Sequence, residues 1–316
     1  MALSGSILVL RALGLGDLLT AVPALRGLRA AYPDDRLVLA APESLRGLVE
    51  SVEAVDELLP TPGLGALRWP GPPPRLAVNL HGKGPESIRD LLACGPDSLL
   101  THRHPDFPDL PGPEWRADLH EVDRWCRLLE HQGIATDRDA LRLPAPPVPA
   151  PVSRAIVIHP GAAYPARRWP PERFARVART LNADGRPVVI TGSRAEVPLA
   201  NSVAAQAGLP PSAVYAGRTE LPELAALVAE AELVICGDTG VGHLATAFGT
   251  PSVLLFGPTP PRTWGPPVTA RHHIALWAGR IGDPHADRPD SGLLMVRPER
   301  VLTAAAEVLG KGARHG

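Results

Sequence analysis

The chain is poor in most of what marks the specialised classes of protein. Lysine is nearly absent: only Lys83 and Lys311 interrupt a basic complement that is otherwise arginine. Acids offset the arginines to a formal net charge of −1 over 316 residues, which removes any general attraction to nucleic acid or to an anionic membrane. A basic site, where there is one, must be local. Cysteine is scarce as well. Cys94, Cys126 and Cys236 are odd in number, far apart and without CxxC or Cys/His metal spacing, which argues against a disulfide framework or zinc module and for buried thiols in a reducing cytoplasm. No apolar run approaches the roughly 18 residues of a membrane span, so membrane contact, if any, would be peripheral. The early stretch "MALSGSILVLRALG" has no basic residue ahead of its apolar run and continues straight into a glycine loop, as a first strand does and a signal peptide does not.

What remains is an ordinary globular composition, 45% hydrophobic and 21% charged, in a chain long enough for two cores. Short apolar runs alternate with helical patterns, the signature of parallel sheets with crossover helices. In the first half the pattern predicts strands at 6–10, 36–41, 75–80 and 98–101, with helices at 18–31, 85–94 and 120–132. Pro23 should kink the first helix or delay its start. "LRLPAPPVPAPVSR" (141–154) then breaks the rhythm, since its prolines deny both helix and central strand. A stiff connector there sets an expected boundary between domains 1–150 and 151–316. The second half restarts with "AIVIHPGA" and predicts helices at 171–184, 195–207, 220–230 and 239–248 with strands at 187–191, 233–236 and 252–256. A last helix is free to pack back on the first domain. Two such halves imply a cleft, with ligands beyond the carboxyl ends of the strands.

The polar residues that chemistry needs gather in a few stretches. In "RALGLGDLLTAVPAL" (11–25), Gly14 and Gly16 follow a strand and open a helix as a dinucleotide loop does, with N–H groups aimed at an anion. Asp17 stands where that anion would be repelled. "VIHPGAAYPARRWPPERF" (157–174) puts Arg167 and Arg168 just before a helix, where guanidinium forks suit a diphosphate; two arginines alone also read as a solvated basic loop. Asp238, Thr239 and Gly240 form a strand-to-helix turn able to receive phosphate. Within it Asp238 is either a helix cap or a sugar ligand, and His243 on the following helix is either packed or functional. Gly249 is a plausible C-terminal stop for that helix. His81 and Lys83 in "AVNLHGKGPES" (77–87) either hold an anionic or hydroxyl-rich acceptor or merely flank a glycine turn. The one DxD string, Asp137-Arg138-Asp139, reads as a solvated loop before the linker.

Taken in order, "LGLGDLLTAVPAL", "HPGAAYPARRWP", "TGSRAE", "CGDTGVGHLATAFGTPSVLLFGPT" and "RTWGPP" resemble glycosyltransferase family 9, the heptosyltransferase-like enzymes. The likeness spans nearly the whole chain and is thinnest over 42–130. It implies a GT-B fold, two Rossmann-like domains whose parallel sheets face a central cleft. The implied enzyme is cytoplasmic, inverting and metal-independent, without a cofactor, taking its acceptor on the first domain and a nucleotide-sugar donor on the second. The family's GD aspartate, the general base, maps onto Asp17. The basic residue of its AKRWP-like segment, which contacts donor phosphates, maps onto Arg167, with arginine here where lysine is frequent; Arg168 follows it. The Asp-Thr/Ser-Gly turn maps onto Asp238, Thr239 and Gly240, and the family histidine onto His243. Glu196 after Gly192 has the spacing of a ribose-binding glutamate in related enzymes and equally that of a solvated first-turn acid. ADP-heptose is the implied donor. A lipopolysaccharide-core or other glycoconjugate acceptor, or a natural-product aglycone, is compatible with the likeness.

Two other classes fit parts of the pattern. A nicotinamide-dependent oxidoreductase would use the early glycines, but Leu19 replaces its third glycine and Asp17 opposes the pyrophosphate. A non-transferring nucleotide-sugar binder, or an epimerase of GT-B type, would keep the second-half constellation. Asp17 in its loop argues against a pure binder.

Overall fold

The computed structural model describes residues 5–312, with side chains through residue 310. The chain divides into two units, Met1–Leu141 and Arg142–Gly316. The division falls at the head of the proline-rich segment and not at residue 150. Leu143 N–H donates to the Ala247 carbonyl at 3.0 Å and the Arg142 guanidinium packs on Gly249, so the segment's first residues are already tied to the second unit.

The first unit runs β1 (Ser6–Leu10), α1 (Leu15–Ala31), β2 (Arg36–Ala41), α2 (Arg46–Val49), β3 (Glu57–Pro60), β4 (Leu76–Asn79), α3 (Glu86–Leu92), β5 (Ser98–Leu100) and α4 (Glu121–Glu130). Its strands form one parallel sheet in the order β3-β2-β1-β4-β5. Strands buried on both faces lose the alternation of a half-exposed strand and read as unbroken apolar runs. Ile7-Leu8-Val9-Leu10 and Leu76-Ala77-Val78 are such runs, all buried. α1 starts at Leu15, earlier than expected, and continues through Pro23 without delay. The acid at its third position explains the early start: Asp17 Oδ2 accepts the Gly14 N–H at 3.2 Å, closing the first turn.

The second unit runs β6 (Ile156–His159), α5 (Pro171–Ala183), β7 (Val188–Ile190), α6 (Val197–Ala207), α7 (Leu221–Ala229), β8 (Leu233–Gly237), α8 (Gly240–Phe248), β9 (Ser252–Leu255), α9 (Pro261–Trp264), β10 (His273–Leu276), α10 (Ser291–Met295) and α11 (Pro298–Gly312). Its sheet is also parallel, in the order β10-β9-β8-β6-β7. Gly249 ends α8 in the left-handed region, φ 68°, as expected of a glycine stop. α11 packs on α5, β9 and β10 within this unit.

β3 and β10 escape the sequence pattern, and both lie at sheet edges. An edge strand pairs on one side only and tolerates polar and proline residues there, as "ELLP" and "HIAL" do.

Each sheet has one place where strand order reverses, the point at which open parallel sheets bind ligands beyond their carboxyl ends. In the first unit it lies between β1 and β4, paired from Ile7↔Leu76 to Leu10↔Asn79. In the second it lies between β6 and β8, paired from Ile156↔Leu233 to His159↔Cys236. The turns that follow these four strands hold Asp17, His81, Arg167 and Asp238.

Candidate active site

In the first unit the switch point is built around a buried arginine that the sequence reading passed over. Arg11, 1% exposed, caps the end of β1. Its Nε donates to the Asp17 carbonyl at 2.6 Å, its Nη1 to the Leu80 carbonyl, and its Nη2 to Glu121 Oε1 at 3.1 Å and Thr20 Oγ1 at 3.2 Å. Asp17 Oδ1 stands 3.5 Å from the same Nη2. The Asp17 side chain keeps 27% of its exposure. Burial raises its carboxyl above the ordinary value, Arg11 and the Gly14 N–H pull it down, and Glu121 pushes it up; the rise prevails. Glu121 goes the other way: burial alone would raise it, but Arg11 and Arg124 hold it low. His81, just past β4, is half-buried with Nδ1 lacking a partner, and burial beside Arg11 pushes it down to about 4. A neutral imidazole is what this edge presents at neutral pH. Lys83 is exposed on the loop beyond.

In the second unit the turns after β6 and β8 meet. Gly237 makes this possible, since a Cβ there would approach the Arg167 carbonyl to 3.0 Å. Arg167 Nη1 lies 4.0 Å from Asp238 Oδ2, its guanidinium is 5.6 Å from the centre of the Tyr164 ring, and its buried Nε has no partner. Thr239 is the N-cap of α8 without a side-chain cap bond. Its buried hydroxyl has no oxygen or nitrogen partner, only the Cys236 thiol beside it. Buried donors and hydroxyls left open cost free energy unless something satisfies them. Next to the N-terminus of a helix nine residues long, they are placed for an anion. His243 lies edge-on to Trp264, centroids 5.9 Å apart, and both line a small pocket with Gly237, Asp238, Thr239 and Phe256.

Two further candidates, Arg168 and Glu196, make bonds within their own loops. Arg168 donates its Nε–H to the Ala162 carbonyl at 2.8 Å and so braces its own loop. Glu196 Oε2 accepts from Ser193 N–H at 2.8 Å and Ser193 Oγ at 2.9 Å, a capping arrangement. Its carboxylate lies against Gly161, where any Cβ would collide with it. Gly161 therefore brings Glu196 up to the turn after β6. Among the described residues no three His, Cys, Asp or Glu side chains group as metal ligands do, and no helix is long and apolar enough to cross a membrane.

A family model described as glycosyltransferase family 9 (heptosyltransferase) matches residues 116–291, more than half of the chain. The chain belongs to glycosyltransferase family 9. It is 27% identical to lipopolysaccharide heptosyltransferase 2 of Salmonella typhimurium over 96% of this chain and 99% of the relative. With lipopolysaccharide heptosyltransferase 3 of Escherichia coli the identity is 34% over 69% of this chain and 57% of that one. Among solved structures, the family 9 glycosyltransferase from Veillonella parvula superposes with a TM-score of 0.78 at 23% identity, covering 98% of this chain and 99% of that chain. The E. coli ADP-heptose lps heptosyltransferase II gives 0.76 at 22% identity with the same coverage. The two parallel-sheet units are thus those of a GT-B glycosyltransferase, and the family excludes the oxidoreductase reading.

Arg11 and Glu121 are what residue-by-residue reading missed. Glu121 reads as an ordinary first-turn acid of α4, and it lies 110 positions from the arginine it pairs with. The usable signal was Arg11 itself, a charge ending an otherwise apolar strand.

Proposed function

We propose that this family 9 enzyme transfers a heptose from ADP-heptose to a hydroxyl of a lipopolysaccharide-core acceptor, with inversion at the anomeric carbon and without a metal ion. The names of its relatives supply the donor and acceptor classes. The observation that carries the mechanism is Asp17, a partly open carboxylate fixed at the switch point of the first unit with its proton affinity raised by burial. As the acceptor oxygen attacks the anomeric carbon, its proton passes to Asp17 and the bond to the diphosphate breaks. The leaving electron pair goes to the nucleoside diphosphate, which Arg167, the Thr239 hydroxyl and the N-terminus of α8 stabilise. Attack from the side opposite the leaving group inverts the configuration. Asp238, Gly240 and His243 shape the donor pocket, Glu196 receives the ribose, Arg168 holds the phosphate loop in place, and His81 and Lys83 meet the acceptor.

Asp17→Asn tests the mechanism. Asn can still accept the Gly14 N–H but cannot take the proton, so transfer should fall by about 10²- to 10⁴-fold. Donor affinity by calorimetry should be unchanged. The melting temperature should be at or above wild type, because in this site the burial of the charge outweighs its pairing with Arg11. Wild-type turnover would make Asp17 a helix cap and nothing more. Turnover after exhaustive EDTA treatment should equal that before it; recovery of a lost rate specifically on adding magnesium or manganese would refute leaving-group stabilisation by arginine and helix alone.

A further inference from the structure

Asp17 and Arg11 are not arranged as a tight ion pair. A guanidinium and a carboxylate with freedom to do so close to about 2.7 to 2.9 Å, often through two parallel bonds. Here the Asp17 Oδ1 to Arg11 Nη2 distance is 3.5 Å, although the two residues lie six positions apart on one turn. The donors explain this. Arg11 Nη2 has two N–H groups, and Glu121 Oε1 at 3.1 Å and Thr20 Oγ1 at 3.2 Å are both closer than Asp17. Nε donates to the Asp17 carbonyl and one Nη1 N–H to the Leu80 carbonyl. The carboxylate is held by the cation only through one long contact, at the outer edge of hydrogen-bonding range.

Glu121 in turn cannot swing away. Oε1 also accepts Trp125 Nε1–H at 2.9 Å, and Oε2 accepts Arg124 Nε–H at 3.0 Å. Arg124 is anchored to the Leu119 carbonyl at 3.3 Å and to the Arg116 carbonyl. Trp125 is fully buried, with the Arg11 guanidinium 4.8 Å from its ring centre. α4, which packs on α1, thus delivers one negative and one positive charge to the base of the site. With Arg11 and Asp17 they make a balanced set of two cations and two anions. His81, facing Arg11 from the end of β4, and His102, edge-on to Trp125 beside Arg124 and Glu121, are each pushed down to about 4 and add no charge near neutral pH.

We propose that Arg11 and Glu121 are positioning residues for Asp17: Glu121 engages the guanidinium that would otherwise close on the Asp17 carboxylate, leaving it fixed in place with a lone pair open to the acceptor's proton. The inference rests on Asp17 being the base. Removing the Glu121 charge frees Arg11 to tighten on Asp17 and deletes a nearby negative charge. Both effects favour the ionised carboxylate and weaken it as a base.

The test is the pH dependence of transfer from ADP-heptose to a heptose-deficient lipopolysaccharide core in wild type, Glu121→Gln, Glu121→Asp and Arg11→Lys. In Glu121→Gln, the acid limb of the kcat/KM profile should move down by about 1 pH unit. Its plateau kcat should fall roughly threefold to tenfold, with donor KM unchanged. Glu121→Asp keeps the charge on a shorter arm and should fall between the two; it carries the test by itself, with a smaller shift of the same sign, should Glu121→Gln fail to fold. Arg11→Lys keeps the charge but loses the fork, so kcat should drop without a matching rise in donor KM. An acid limb that stays put in folded Glu121 variants, with only the melting temperature lowered, overturns the proposal and leaves the network a structural one. Wild-type turnover in Asp17→Asn instead overturns the base assignment, and the proposal falls with it; the two failures are read from different variants.

Discussion

The turn after β1 and the turn after β8 are built on the same plan and end in opposite chemistry. Each leaves a buried parallel strand beside a switch point and opens a helix whose N-terminus would favour an anion. In the first turn the anion is part of the protein. Asp17 takes up the Gly14 N–H, and Arg11 spends its donors on Leu80, Asp17, Thr20 and Glu121. In the second turn the N-cap of α8 carries a hydroxyl and the first helical turn no acid; Thr239 Oγ1 meets only the Cys236 thiol, and the buried Arg167 Nε has no partner. A helix N-terminus therefore does not by itself make a phosphate site. On the proposed mechanism, the side chain at the helix start decides whether such a platform receives an anion or supplies one.

Thr239→Asp breaks this comparison by putting a second carboxylate, next to that of Asp238, at the N-cap of α8. An acid there would cap α8 well, so the fold should survive, while juxtaposing like charges costs several kcal/mol. Affinity for ADP, measured by calorimetry, should drop by at least about 100-fold; ordinary ADP binding would show that the diphosphate lies elsewhere. Arg167→Ala removes a cation from the second turn without adding an anion. A charge-assisted bond is worth roughly 1.5 to 3 kcal/mol, so affinity for ADP should fall about 10- to 100-fold. Loss of the same size in Arg168→Ala would mean that the two arginines share the role, against the brace that Arg168 forms with Ala162.

The smallest effect is on stability, and it compares the units through their buried histidines. Burial, with Arg124 nearby, pushes His102 down to about 4 in the first unit, and burial with His272 and Arg142 pushes His273 down to about 3 in the second. Below the unfolded value near 6.5, the unfolded chain binds a proton that the folded chain refuses. Stability is therefore complete above about pH 6.5 and declines as pH falls, to about 4 for His102 and about 3 for His273. Melting curves between pH 7 and 4 should show a lowering that His102→Gln and His273→Gln each reduce. If both variants follow wild type across that range, other groups account for the acid loss.

Much of this molecule was legible along the chain. Fully buried parallel strands announce themselves as apolar runs, and the glycine and proline punctuation marked the helix stops and the connector. Asp17, Arg167 and the 238–240 turn could be found because a short motif holds each in one local turn, where neighbours in sequence are neighbours in space. The edge strands β3 and β10 lacked that signal because half-exposed or exposed positions interrupt their burial, whereas the edge strand β7 keeps a fully buried apolar run.

The chain's local patterns thus settled the two-sheet architecture and the identity of the polar turns, because periodicity and turn chemistry act over a few residues. They did not settle what those turns experience. That Arg11 is shared among Asp17, Thr20 and Glu121 depends on α4 returning to α1 across 110 positions, and no spacing rule encodes such a pairing. Which of two adjacent arginines keeps an open donor, and whether Glu196 lies free or pressed against Gly161, likewise depended on how separate strands brought their loops together. The proton affinity of Asp17 followed from the same source: burial and the charges of distant segments set it, and both exist only once the chain has folded.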